Sequence, residues 1–313
     1  MRDAAADRLA RLADATDDDG FALAPDAHPA RWWGIHEPTS RAAPAGEGPI
    51  RLSPSQVESL LTCPRKYFLS REARAEPPRE IRTILGSVIH AVAERAASGE
   101  LAPGDVAAAL DAVWGSIPFP AAWLSASERA EADAAVGRFL AWQAGHDHAD
   151  LVGVEVPFRA EIEVDGRTVQ LVGAVDRLER REDGSLKIVD FKTGRTVPTA
   201  RAAAQTPQIG IYQLAAEVGG FGEAAPSAGA SLVYLRTEDG EGWPKEFRQP
   251  SLAESPHLTD DPDELAYPTW VHHQVARACD VLAQGRFDAH PGEQCTYCPV
   301  RSSCPARSGQ VVA

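Results

Sequence analysis

The stretch KIVDFKTG, residues 187–194, is an apolar run of strand length that ends in Asp190, Phe191 and Lys192 and is broken by Gly194. Because side chains alternate along a strand, Asp190 and Lys192 point to one face of the predicted sheet and Phe191 to the other. A carboxylate beside an ammonium group suits metal-assisted phosphodiester hydrolysis: Asp190 would hold a divalent cation, and Lys192 would orient water or stabilise charge on the phosphate. Alone, however, Asp-x-Lys more often marks a surface ion pair at a strand end.

The preceding strand carries a second candidate ligand. Asp176 interrupts the apolar run LVGAVDRLE, which a turn at residues 181–185 joins to the strand just described. Buried carboxylates are rare unless they are paired or bound to metal. Two aspartates on adjacent strands can converge on one hard cation, and oxygen ligands with retained waters favour Mg²⁺ or Mn²⁺.

Two helical patterns supply weaker candidates. His90 lies on the apolar face of the helix predicted in LGSVIHAVAE, where a histidine is more often a satisfied core residue than a ligand. Gln208 and Tyr212, in TPQIGIYQLA, are four residues apart and therefore share one helix face. That pair could contact a phosphate or a base, or could simply pack.

The remaining patterns predict the fold class. Helical periodicity, which begins after the capping signal Ser53-Pro54-Ser55-Gln56, covers residues 54–62, 84–98, 104–115, 125–146, 205–218 and 263–285. Strand patterns cover residues 151–190, with hairpin turns at 165–166 and 183–184, and residues 230–236. We therefore predict an α/β fold, an α/β/α sandwich around a mixed central sheet.

The chain is predicted to have one folded domain, residues 50–313, after an N-terminal segment. Residues 1–49 combine a short amphipathic helix, 3–14, with a linker rich in Pro, Gly and acidic residues. Trp32 and Trp33 are too apolar for a free linker, so we expect them to dock on this chain or on a partner.

Charge and composition narrow the function classes. The 313 residues carry a net charge of −14, which argues against a nucleic-acid coat protein, although basic residues outnumber acidic ones in residues 51–100. No apolar run reaches the length of a membrane span, and no signal peptide is recognisable, so we predict a cytoplasmic protein with no membrane partner. The absence of a GxxxxGK[ST] sequence predicts that this chain is not a motor.

Four of the five cysteines form a candidate metal site. Cys295, Cys298 and Cys304 are spaced C-x₂-C-x₅-C, and Cys63 stands far upstream. Four thiolates fit either tetrahedral Zn²⁺ or an iron–sulfur cluster. C-x₂-C knuckles are common at structural zinc, but zinc sites more often use two knuckles than one knuckle and a solitary ligand. The fifth, Cys279, is predicted to be a small buried core residue.

A basic and aromatic patch follows Cys63. Arg65 and Lys66 precede Tyr67 and Phe68, a combination that suits contact with a single strand through phosphates and bases. The alternative is that the two rings pack on the metal site and its helix.

The order of these motifs resembles a known family. Gly86-x-x-x-His90, Gly173-x-x-Asp176, Asp190-x-Lys192 and Gln208-x-x-x-Tyr212 look like the RecB-like branch of the PD-(D/E)xK nuclease superfamily, over about residues 51–313. The resemblance implies a restriction-endonuclease-like fold, a Mg²⁺ or Mn²⁺ site at His90, Asp176 and Asp190, catalysis by Lys192, and DNA contacts by Gln208 and Tyr212. Glu155, in the first strand, is either a further acidic group near the metal or a solvent-facing residue.

The cysteine layout resembles the iron–sulfur staple of AddB-type nucleases. This resemblance implies a [4Fe–4S] cluster, held by Cys63, Cys295, Cys298 and Cys304, that joins the N- and C-terminal segments of the domain, with structural Zn²⁺ as the alternative. The chain also looks like the nuclease end of actinobacterial AdnAB-type helicase–nucleases, with residues 1–49 as a remnant of the helicase region.

The resemblance implies a metal-dependent exonuclease. Its substrate would be single-stranded DNA or the end of a duplex, and it would act with a helicase in double-strand break repair. The alternative function is a non-catalytic module of the same fold that binds DNA or a helicase.

Overall fold

The computed structural model describes residues 2–28, 48–75, 81–145, 150–301 and 304–308. Contacts divide the chain into two units, Met1–Gly46 and Glu47–Ala313. In the first unit, a helix (α1, Arg2–Ala13) covers the predicted amphipathic segment. Trp32 and Trp33 lie outside the described residues, so their predicted docking remains a prediction. Within the described ranges, no helix is both long enough and apolar enough to cross a membrane.

The second unit contains all six strands of the sheet. The strands are β1 (Ile50–Leu52), β2 (Asp150–Val164), β3 (Arg167–Arg180), β4 (Leu186–Lys192), β5 (Ser227–Glu238) and β6 (Pro244–Gln249). Its described α-helices are α2 (Pro54–Thr62), α3 (Pro64–Tyr67), α4 (Ile81–Ala97), α5 (Val106–Trp114), α6 (Ala122–Gly145), α7 (Ala200–Ala204), α8 (Pro207–Glu217), α9 (Pro262–Leu265), α10 (Trp270–Gln284) and α11 (Pro305–Ser308).

The sheet is mixed, as predicted. β2 pairs antiparallel with β3 along almost its whole length. The other edge of β3 pairs in parallel with β1 and, further along, antiparallel with β4. β4 and β5 are parallel, and β6 returns antiparallel to β5. The parallel pairs require crossovers through helices, which places helical layers against the sheet.

Two apolar clusters form the cores of these layers. One cluster packs α2, α8 and α10 on one face of the sheet, and it includes Ile188 of β4. The other packs α4, α5 and α6 on the opposite face, and it includes Phe191, whose ring meets Phe139 and Trp142 edge-on. The alternation predicted for β4 is therefore confirmed, and Asp190 lies on the face opposite Phe191.

Local chemistry explains most element boundaries. Ser53 and Gln56 form the predicted capping box at the start of α2. Asp165 and Gly166, both with positive φ, make the tight turn between β2 and β3. The single helix predicted over 263–285 is wrong: it divides into α9 and α10 because Pro268 cannot continue the helix between them.

Candidate active site

The two predicted aspartates meet where β3 and β4 run side by side. Pairing of Arg177 with Val189 sets the register of these strands. The side chain of Asp176 reaches across to β4, where its Oδ2 accepts a hydrogen bond of 2.6 Å from the backbone N–H of Phe191. The two carboxylates are close enough for the charge on Asp176 to raise the pKa of Asp190.

Asp190 is a buried carboxylate beside an ammonium group. Asp190 is 3% exposed, and its Oδ2 lies 2.8 Å from Nζ of Lys192. That oxygen is paired with the Lys192 ammonium group, and the other, Oδ1, accepts a hydrogen bond from Gln208. A buried anionic oxygen with spare coordination capacity fits a hard divalent cation.

Gln208 and Tyr212 lie behind this ion pair. Gln208 Oε1 accepts from Lys192 Nζ at 2.6 Å, and its Nε2 donates to Asp190 Oδ1 at 3.1 Å and to the Tyr212 hydroxyl at 2.9 Å. Tyr212 is 5% exposed, and its ring packs edge-on against Phe158. Gln208 and Tyr212 share one helix face, as predicted. Gln208 contacts Asp190 and Lys192, and the Tyr212 ring is too buried to stack on a DNA base.

His90 joins the carboxylates rather than the apolar core. Its Nε2 lies 2.9 Å from Asp176 Oδ2, and its Nδ1 lies 3.4 Å from Glu155 Oε1. Ligand atoms of these three residues all lie within 4.8 Å of one another, and they form the one such group of His, Cys, Asp or Glu found among the described residues. Carboxylate and imidazole donors at this spacing could hold a divalent cation.

The glycines of the motifs permit this convergence. A Cβ on Gly86 would lie 2.7 Å from Thr193 Oγ1, and one on Gly173 would lie 2.9 Å from the Phe158 ring. Gly86 thus lets α4 approach the end of β4, which brings His90 to Asp176.

The site has unusual acid–base properties without a metal. Burial, followed by the charge of Asp176, raises the pKa of Asp190 to about 6. A hydrogen bond to Asp176 outweighs burial and raises the pKa of His90 to about 9. Burial and Asp176 also raise the pKa of Glu155. Burial is the largest single influence on Lys192 and lowers its pKa, but the charge and hydrogen bond of Asp190, with the charges of Asp176 and Glu58, together make the net shift of the pKa upward. Two cations, His90 and Lys192, therefore offset part of the charge of the three carboxylates.

The His90 shift predicts a pH dependence of metal-free stability. Its folded pKa is raised, so its stabilisation is fully present below about pH 6.5 and is lost as the pH rises through about 9. The raised pKa of Asp190 affects stability at lower pH, between 3.8 and about 6, and does not overlap this pH range.

With a chelator present, the melting temperature of the wild type should fall between about pH 6.5 and about pH 9, and His90→Gln should flatten that fall. The exposed-histidine control, His290→Gln, should keep the wild-type slope; equal slopes in all three proteins would contradict the assignment.

A cleft of about 680 Å³ opens beside His90 along α4. Its lining includes Arg195 and Arg236, and the buried carboxylate of Glu128 binds both, at 3.0 and 2.7 Å. The sequence analysis missed these three residues. Arg195 and Arg236 lie 67 and 108 positions after Glu128 in the chain, so no local sequence pattern links the three residues.

None of the described cysteines forms a disulfide. Cys63, Cys295, Cys298 and Cys304 are partly exposed, whereas Cys279 is buried in the core as predicted. Within the described part of the chain, no three thiols come within 4.8 Å of one another. The segments around them do meet: the Arg65 N–H donates to the carbonyl of Asp288 at 3.1 Å.

In the basic and aromatic patch, the two rings pack on a neighbouring ring, whereas the two basic residues stay partly exposed. The Tyr67 and Phe68 rings both pack near Phe287, at 6.3 and 4.9 Å between centroids, which supports the packing alternative for the rings. Arg65 and Lys66 are half-buried. The Arg65 Nε has no hydrogen-bond partner among the described residues. A DNA contact by these two cations remains a prediction.

The chain matches the model of a known protein family. A family model described as PD-(D/E)XK nuclease superfamily matches residues 51–305. Comparison with curated proteins gives no match. Among solved structures, one titled "Crystal structure of SSO0001" is similar, with 16% identity and a TM-score of 0.42, and the match covers 84% of this chain and 89% of that one.

Proposed function

Because this chain belongs to the PD-(D/E)XK nuclease superfamily, we propose that it is a Mg²⁺- or Mn²⁺-dependent deoxyribonuclease that hydrolyses phosphodiester bonds. One observation carries the proposal: the buried Asp190 carboxylate is paired with the Lys192 ammonium group and lies close enough to the second carboxylate, Asp176, to feel its charge. The superfamily match implies DNA as the substrate and a divalent metal as the cofactor.

Each side chain has a distinct proposed role. Asp176, Asp190 and His90 hold the cation, which when bound would polarise the scissile phosphate and acidify a water molecule. Lys192 orients the attacking water or stabilises the negative charge that develops on the phosphate. Gln208, which bonds both Asp190 and Lys192, sets their relative position, and Tyr212 fixes Gln208. We assign the last two residues this positioning role in place of direct DNA contact.

We propose further that the enzyme is an exonuclease on single-stranded DNA or duplex ends, working with a helicase in double-strand break repair. The support is the motif resemblance together with the net charge of −14. An acidic chain binds DNA weakly unless its cations are concentrated in one groove, so a helicase that delivers the strand would compensate for weak binding.

The test of the function is direct. The full chain is incubated with end-labelled single- and double-stranded DNA, with Mg²⁺, with Mn²⁺ or with a chelator. We expect metal-dependent shortening of the single strand from an end. Binding without cutting in either metal would contradict the enzyme and support the non-catalytic binding module.

We propose that Cys63, Cys295, Cys298 and Cys304 hold a [4Fe–4S] cluster. Four free, partly exposed thiols and the backbone contact between Arg65 and Asp288 are compatible with such a group joining the two ends of the domain. Structural Zn²⁺ is the competing occupant, and metal analysis of anaerobically purified protein distinguishes the two.

Reversal of two charges tests the proposed DNA groove. Arg65→Glu with Lys66→Glu should weaken binding to single-stranded DNA and flatten its salt dependence, because each phosphate contact contributes a slope of about −0.7 in log affinity against log salt. Fluorescence anisotropy at several salt concentrations measures this slope, and the melting temperature checks folding. The matched control, Arg8→Glu with Arg11→Glu in α1, makes the same change of charge elsewhere. An unchanged slope in the first variant would leave this patch as packing around the cysteines.

A further inference from the structure

Two exposed arginines share one face of the sheet with the candidate active site. Side chains alternate along β3, so Asp176 and Val172 point to the same face, four residues or about 13 Å apart. Arg159 of β2 pairs with Val172, and Arg51 of β1 pairs with Gln170, the next residue of β3 on this face. The two arginines therefore flank β3 from its two edges, on the side of the sheet that Asp176 faces.

Burial of the neighbouring residues confirms that both arginine side chains point away from the core. Leu52, which follows Arg51, belongs to the apolar cluster that packs α2, α8 and α10, and so do Phe158 and Ala160, which flank Arg159. Arg51 and Arg159 are exposed, and both line a cleft of about 520 Å³. Two guanidinium groups thus open onto one cleft, on the face that carries the candidate active site.

Neither arginine is neutralised by a neighbouring carboxylate. Within the described ranges, their guanidinium groups have no ion-pair or hydrogen-bond partner. Glu161, the carboxylate closest to them in strand register, accepts a hydrogen bond of 3.2 Å from Gln170 Nε2. The other two arginines near the site, in the cleft beside α4, are by contrast bound by the buried Glu128. In a chain of net charge −14, two cations without a counter-ion on one face form a local site that attracts a polyanion.

The surface between the metal site and these arginines is short and low. Pro157 and Ala174 pair with each other at the single step that separates Asp176 from Val172 on this face. Both side chains are short, so neither rises from the sheet to obstruct a bound strand. An extended polynucleotide covers the distance of about 13 Å along β3 in a few nucleotides.

We propose that this surface, the hairpin face (Arg51, Arg159 and Val172), is the path of the DNA strand beyond the metal site, with the two guanidinium groups bound to backbone phosphates. The inference rests on the proposed nuclease function and adds to it the path of the substrate. Arginine binds phosphate oxygens through charge-assisted hydrogen bonds, often two at once. Phosphate contacts carry no sequence information, so the hairpin face should hold strands of any sequence.

The salt dependence of binding tests the hairpin face. Fluorescence anisotropy measures the affinity of the full chain for a labelled single strand in chelator, so that no strand is cut, at several salt concentrations. Arg51→Gln with Arg159→Gln should weaken binding and make the slope of log affinity against log salt less steep by about 1.4, since each phosphate contact on a single strand contributes about 0.7. The matched control, Arg180→Gln with Arg181→Gln, removes two exposed charges at the opposite end of β3 and should keep the wild-type slope.

A conservative variant separates a phosphate contact from a structural role. Arg51→Lys with Arg159→Lys keeps both charges and should keep most of the salt slope, and the melting temperature checks the folding of each variant. A lysine variant with the slope of the glutamine variant would overturn the proposal, as would an equal change of slope in the control.

The two proposals fail in different ways. Wild-type protein that binds the strand through these arginines but cuts no DNA in Mg²⁺ or Mn²⁺ would contradict the nuclease function alone. Wild-type protein that cuts DNA, with an unchanged salt slope in the glutamine variant, would contradict the hairpin face alone.

Discussion

Asp190→Asn is expected to reduce metal-dependent DNA cleavage by at least about two to three orders of magnitude. The substitution keeps the shape of the side chain but removes the charge of a ligand at the proposed cation site. Asp176→Asn should have the same effect. DNA binding in chelator should survive in both variants, because neither carboxylate contacts a phosphate without the metal. Gel assays of end-labelled DNA measure cleavage, and anisotropy measures binding.

Lys192→Met separates chemistry from metal binding in the same site. It should lose cleavage to a similar extent but keep Mn²⁺ affinity, because an ammonium group is not a ligand. Asp133→Asn, at the exposed partner of Arg129, is the matched control and should cut normally. Near-wild-type cutting by any of the three site variants would show that the active site lies elsewhere.

Asp190→Asn should also show that the ionised Asp190 side chain destabilises the metal-free fold. In the metal-free protein the pKa of Asp190 is raised from 3.8 to about 6, chiefly by burial, so its ionised form destabilises the fold at neutral pH. A neutral amide removes that cost, although it also removes the charge that faces Lys192. We expect a metal-free melting temperature at pH 7 that is equal to or above that of wild type, together with lost activity.

Cys63→Ser is expected to lose the metal cluster and to destabilise the domain as severely as Cys298→Ser, although 235 positions separate the two cysteines. A cluster that needs four thiolates fails when one is removed, and the binding free energy that it contributes to folding, of several kcal/mol, is lost with it. Iron and zinc content and the melting temperature, measured on anaerobically purified protein, test this.

Cys279→Ala provides the matched control. Cys279 is buried in α10 and is not a predicted metal ligand. Its replacement should lower the free energy of unfolding by only about 1 kcal/mol and leave the metal content unchanged. Unchanged iron and zinc content in Cys63→Ser would remove Cys63 from the ligand set and leave the C-terminal cysteines with another partner.

The elements that followed from local chemistry were predicted well. α2 begins and ends where the capping signal and its periodicity placed it, and both predicted hairpin turns join the strands expected. The long helix predicted near the C-terminus was wrong because its apolar periodicity continued across Pro268, where the backbone could not. Burial of Cys279 followed correctly from its place in an apolar helical pattern.

The site was only partly predictable. Tyr212 shares a helix face with Gln208 as predicted, but which way that face points depends on how α8 packs on the sheet, and it packs toward Asp190 and Lys192. His90 has the sequence pattern of a core histidine. The close approach that Gly86 allows turns it instead toward Asp176.

The sequence by itself determined the features that depend on a few neighbouring residues. Alternation along β4 put Asp190 and Lys192 on one face and Phe191 on the other, because the side-chain period of a strand is a local property. Only the tertiary structure decided which groups face them. His90 and Asp176 are 86 positions apart, and Glu155 enters the group through strand register and a left-handed backbone. Contacts of this kind arise from packing of distant segments, which no local pattern encodes.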